Sequence, residues 1–81
     1  MEFKQSELER ILNIATVCIR MLYRRGGKIS LDPSSKYSEP KFDTFPAPVL
    51  IIPVEWLNTA TGEEIIHALG VAEWEMRKRL S

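Results

Sequence analysis

One cysteine and one histidine are the only strong soft ligands in this chain of 81 residues. Cys18 sits between Val17 and Ile19 at a core spacing, where a small buried thiol is the ordinary outcome. A reactive thiol needs an electropositive, partly open setting, which those neighbours do not provide. His67 lies far from Cys18 in sequence, and the two cannot make a four-ligand zinc centre. Glu63-Glu64 and Glu73/Glu75 are paired carboxylates, but no enclosing apolar residues mark either pair as a tuned acid–base couple. Gly26-Gly27-Lys28 lacks phosphate-loop spacing and reads as a helix stop. No serine stands in a recognisable set with a histidine and an acid, and so short a chain has little volume for a roomy pocket. The expectation is a protein with no catalytic residues, no metal and no cofactor.

Recognition chemistry is better represented. Trp56, Trp74, Tyr23, Tyr37, Phe42 and Phe45 are large rings for a small domain, and tryptophan and tyrosine anchors dominate interface energetics. Trp56, beside Ile52 and Leu57, suits the core. Trp74 stands between Glu73 and Glu75, outside a stripe through Leu69, Met76 and Leu80, and is expected to be exposed. Asp43, Glu55, Glu73 and Glu75 around the rings argue against stacking on single-stranded bases, which needs basic surroundings.

These side chains need elements to hold them. Ser6-Glu7-Leu8-Glu9 has capping-box form, nothing breaks a helix before Arg25, and Gly26-Gly27 supplies a left-handed stop. Residues 1–27 are thus a long-helix segment. Its apolar arc is wide: Leu8, Ile11, Leu12, Ala15, Cys18, Ile19 and Leu22 form the expected core stripe. Ile14, Val17 and Met21 form a second stripe, which other segments of the domain could wrap or which could meet a second copy or a partner.

Residues 28–53 change character. Lys28-Ile29-Ser30-Leu31 alternates like a half-buried strand. Asp32-Pro33-Ser34-Ser35 and Ser38-Glu39-Pro40 are turn signals, Lys41–Phe45 is a weaker return strand, and Val49–Ile52 is a β-branched run closed by Pro53. The prolines argue against a central strand with a full ladder, so a long hairpin or extended proline-rich flap is expected.

Residues 54–81 are helical again. Pro53 starts a short turn carrying Trp56 and Leu57. Thr61-Gly62-Glu63-Glu64 is a second capping box, followed by one helix to Leu80 or two meeting at Gly70. In the second case Glu64-Ile65-Ile66-His67-Ala68-Leu69-Gly70-Val71 and Met76-Arg77-Lys78-Arg79-Leu80 resemble a helix-turn-helix of the Fis-like type. The resemblance covers residues 62–80. It implies a dimeric DNA-binding regulator whose second helix enters a major groove, with Arg77, Lys78 and Arg79 as the nucleic-acid contacts. Ile66 stands where such motifs prefer a small residue. Glu73 and Glu75 fall where they would repel phosphates, and cations at a helix C-terminus have their own reason to be there.

Composition sets the outer bounds. The length suits a single domain over residues 1–81, of α+β class and mainly α. The 11 basic and 11 acidic residues balance, against the basic excess expected of a bulk-charge nucleic-acid binder. A lone cysteine makes no internal disulfide and favours a reducing cytoplasm. Nothing near Met1–Gln5 has the apolar core of a signal peptide, and Phe45–Val54 is too short and proline-rich to span a bilayer. The sequence therefore points to a small soluble cytoplasmic module that binds another protein, of adaptor or inhibitor type, as bacteria and phages use. Ile14, Val17, Met21 and Trp74 are its contact residues, with self-association possible and no membrane partner. The alternative is the DNA-binding regulator.

Overall fold

A computed structural model describes residues 3–80; Met1, Glu2 and Ser81, which fall in the expected leader-free start and in the last helical segment, lie outside the described residues. The order is α1 (Gln5–Tyr23), β1 (Lys28–Asp32), β2 (Lys41–Asp43), β3 (Val49–Pro53), α2 (Val54–Thr59) and α3 (Gly62–Arg79). This is the α+β arrangement expected, with helices dominant and one small sheet.

α1 begins two residues earlier than the Ser6 cap predicts, with Lys4 as its cap. Glu7, not Glu9, reaches back, accepting the Lys4 amide at 3.1 Å. The helix ends as expected, with Gly26 at φ +72° and the Gly27 amide donating to the Leu22 carbonyl at 2.8 Å. These are the elements of a Schellman stop. Gly27 has a second duty, because a Cβ there would lie 2.3 Å from the Pro48 carbonyl oxygen. That carbonyl accepts the Lys28 amide at 3.1 Å, so the glycine lets β1 dock beside β3.

The sheet corrects the hairpin expectation. Its order is β1-β3-β2, with β1 parallel to β3 and β2 antiparallel to it. The run Val49–Ile52 is therefore the central strand. Proline does not prevent this, because Pro46 and Pro48 precede the strand and Pro53 is its last residue. The ladder amides between them are all present. Ile29, Phe42, Leu50 and Ile52 face the helices, and Leu50 is fully buried.

α3 is a single helix, unbroken at Gly70. The helix crossing implied by the helix-turn-helix resemblance is not formed. The Thr61/Glu64 capping box is present as read, with Glu64 N–H to Thr61 Oγ1 at 3.2 Å and Thr61 N–H to Glu64 Oε1 at 2.9 Å. The Thr61 amide, and after it the Thr61 side chain, hold the Glu64 carboxyl below its ordinary pKa. The core joins Cys18 and Leu22 of α1, Leu50 of β3, and Ile65, Leu69, Ala72 and Met76 of α3. Trp56 and Leu57 pack against it from α2, as expected for Trp56.

Candidate functional site: the seam between α1 and α3

α1 and α3 lie side by side and run the same way. At their N-terminal ends Gly62 faces the Glu7 carboxyl. Midway, Cys18 Sγ approaches the Leu69 carbonyl at 3.8 Å. At their C-terminal ends Met21, Arg24 and Arg25 share a small cleft with Met76, Arg77 and Leu80. The outer side of this seam is an open, mainly apolar groove of about 740 Å³, lined by Arg10, Ile14, Glu63, Ile66, His67, Gly70, Val71 and Trp74.

Two of the expected contact residues, Ile14 and Trp74, thus face each other across one groove. Met21 lines a separate cleft at the C-terminal end of the seam, and Val17 is half-buried on the same flank of α1. Trp74 is 56% exposed, as its flanking glutamates suggested, and the Lys78 ammonium lies 4.3 Å from its ring centroid.

The division of α1 into a core stripe and a spare stripe needs correction. Ile14 and Met21, read as contact residues, pack partly against the core. Leu8, Leu12 and Ile19, expected to be core, are exposed. The cause is the position of α3. It lies along the Ile14–Val17–Met21 flank and turns the opposite flank to solvent. Sequence periodicity gives the width of an apolar arc but not the side from which the neighbouring element arrives. The groove also contains residues that the sequence reading passed over, namely Ile66 and Val71. The signal available was Gly70, since a glycine in a helix interior carries a cost that invites a packing or functional reason.

Gly70 leaves the groove floor open. Its φ lies outside the left-handed region, and a Cβ there would meet nothing within 4 Å. The fold itself makes no use of the missing side chain, so the bare backbone faces the groove.

The basic tail residues are largely engaged locally. Arg77 pairs with Glu73 at 2.9 Å and Arg79 with Glu75 at 3.8 Å. Arg79 also donates to Thr44 Oγ1 at 3.3 Å and lies over Phe42. Because α1 and α3 are parallel, Arg77, Lys78 and Arg79 share one end of the molecule with Arg20, Arg24 and Arg25. Cys18 is fully buried, and burial, reinforced by Glu73, pushes its thiol up to about 11. That setting disfavours the thiolate a nucleophile requires. His67 is an exposed groove residue, and no cluster able to hold a metal ion is formed among the described residues. No helix among them is long and apolar enough to cross a membrane.

No family model, curated protein or solved structure matches this chain.

Proposed function

We propose that this chain is a small non-enzymatic protein-binding module of adaptor or inhibitor type, working in the cytoplasm, whose docking face is the α1–α3 groove. The observation that carries the reading is the open floor at Gly70 between Ile14 and the exposed Trp74 and Val71. A glycine inside a helix costs roughly 1 kcal/mol relative to alanine. Here that cost gains nothing in packing or backbone geometry, but it lets a partner's backbone approach closely. Trp74 is a rigid amphipathic anchor of the type that concentrates binding energy. Ile14 supplies the facing apolar wall, with Val17 and Met21 farther along the same flank of α1.

The test is comparative capture from the native lysate with tagged wild type, Trp74→Ala and Lys36→Ala. The reading predicts a protein retained by wild type and Lys36→Ala and lost with Trp74→Ala. Identical captures by all three would remove the groove as the binding face.

A second reading, a DNA-binding regulator, draws its support from the basic end where Arg20, Arg24 and Arg25 meet Arg77, Lys78 and Arg79. Without a crossing of two helices it would act through phosphate contacts, and such binding weakens steeply with salt. Duplex affinity measured from low to physiological salt distinguishes the readings: a steep negative slope supports the regulator, and absence of binding at low salt removes it.

A further inference from the structure

The two edges of the sheet are finished differently. β2 is three residues long, flanked by Pro40 and followed by Thr44, which is capped by Arg79. Short edges, prolines and covering side chains are the usual guards against strand addition. β1 has five residues, no internal proline and, among the described residues, only β3 as a neighbouring strand. Beside it α1 exposes Leu8, Leu12, Ile19 and Tyr23, which fall within an arc of about 60° at helical spacing, on the flank away from α3. Leu12 and Tyr23 are 57% and 65% exposed, and Leu31 of β1 is 60% exposed. An open strand edge and an uncovered apolar flank therefore share one side of the molecule.

We infer that this side is the interface between two copies of the chain, paired antiparallel through β1 about Ser30. The strand is self-complementary in that register. Lys28 of one copy lies opposite Asp32 of the other, Ile29 opposite Leu31, and Ser30 opposite itself. The hydrogen-bonding phase agrees. The Lys28 amide points to Pro48, on the β3 side, so by strand alternation the N–H and C=O groups of Ile29 and Leu31 point outward. Opposed residues whose groups both point inward to the seam exchange two hydrogen bonds, so the Ile29–Leu31 pairs close the ladder. Apolar pairs then lie under the helices, while the Lys28–Asp32 charges lie on the open face.

α1 repeats the same symmetry. Turned antiparallel on a second α1, Leu8 meets Tyr23 and Leu12 meets Ile19, leaving Ala15 and Thr16 at the axis. Interaxial distance is set by the side chains at the contact, and these are among the smallest on that flank. Glu9 and Arg20, both exposed beside the stripe, approach each other's copies. Strand and helix can share one axis. From Gly27, tied to Leu22, the strand returns about 10 Å to Ser30, while about 9 Å of helix separates Leu22 from Thr16. An interface in which each copy contributes the same patch is the commonest form of homodimer. It uses the opposite flank of α1 from the groove, and so does not depend on the groove's role.

The decisive experiment combines sedimentation equilibrium with crosslinking across the axis. Wild type should sediment at twice the 9.3 kDa of the chain, as should Trp74→Ala. Leu12→Glu, at a position already exposed, should sediment as a folded monomer by circular dichroism. A non-hydrogen-bonded antiparallel pair has Cα atoms about 4.5 Å apart, within disulfide range. Ser30→Cys should therefore oxidise to a linked dimer, while Ser34→Cys should not. A monomer at every soluble concentration, a dimer insensitive to Leu12→Glu or broken by Trp74→Ala, or a Ser30→Cys variant that fails to link would overturn the inference. The linking arm stands even if Leu12→Glu does not fold.

Discussion

Gly27 and Gly70 are the same residue type under opposite constraints. Gly27 has the Pro48 carbonyl where its side chain would be, and a backbone oxygen held in a sheet cannot give way cheaply. Gly27→Ala is expected to cost on the order of 1–3 kcal/mol, the usual range for overpacking. A denaturant midpoint within error of wild type would show that β1 can move away from β3. Cys18 gives a residue-scale prediction with a sign. Its native thiol titrates near 11 against an ordinary 9.0, so between those values the unfolded chain releases a proton that the native one keeps. Stability should therefore be intact below pH 9 and fall by about 1.4 kcal/mol per pH unit between pH 9 and 11. Comparing wild type with Cys18→Ala isolates the effect, and equal slopes in that window would contradict it.

At the scale of elements, Gly70→Ala separates one continuous helix from a turn. In the continuous α3, alanine should raise stability by roughly 0.5–1 kcal/mol; a falling midpoint would mean that the backbone turns there. The elements themselves were well marked in the sequence. Gly26-Gly27 ends α1, Thr61 and Glu64 start α3, and the alternation at Lys28–Leu31 gives β1. Those signals are local hydrogen-bond chemistry, and local chemistry is written in adjacent residues. Pairing is not. Lys41–Asp43 was readable as a strand, yet its partner is Leu50 and its neighbours in β3 rather than β1. Nothing in a three-residue strand specifies a partner. The site was legible in the same uneven way: Trp74 and Ile14 were marked by their neighbours and spacing, but Ile66 and Val71 become groove residues only once α3 lies parallel to α1.

Across the whole molecule, the balanced charge conceals a separation. The parallel helices and the return of β1 gather Arg20, Arg24, Arg25, Lys28, Arg77, Lys78 and Arg79 at one end, with Asp43, Glu73 and Glu75 as the acidic residues there. The other end holds Glu7, Glu9, Asp32, Glu39, Glu55, Glu63 and Glu64 with fewer cations. α1 and α3 thereby each place acids at the positive end and bases at the negative end, which offsets the repulsion of two parallel dipoles. The groove runs between these poles, so a partner helix of opposite polarity would meet complementary charge at both ends.

The central claim is that the groove beside Gly70 receives another protein, and site-specific photocrosslinking in the native cell tests it most directly. A photoreactive amino acid is placed at Val71 in the groove and, in a second variant, at Lys36 on the β1–β2 loop, outside the groove lining. The account predicts a covalent adduct with one discrete protein from position 71 and none from position 36. No adduct from position 71, or the same adducts from both positions, would contradict it.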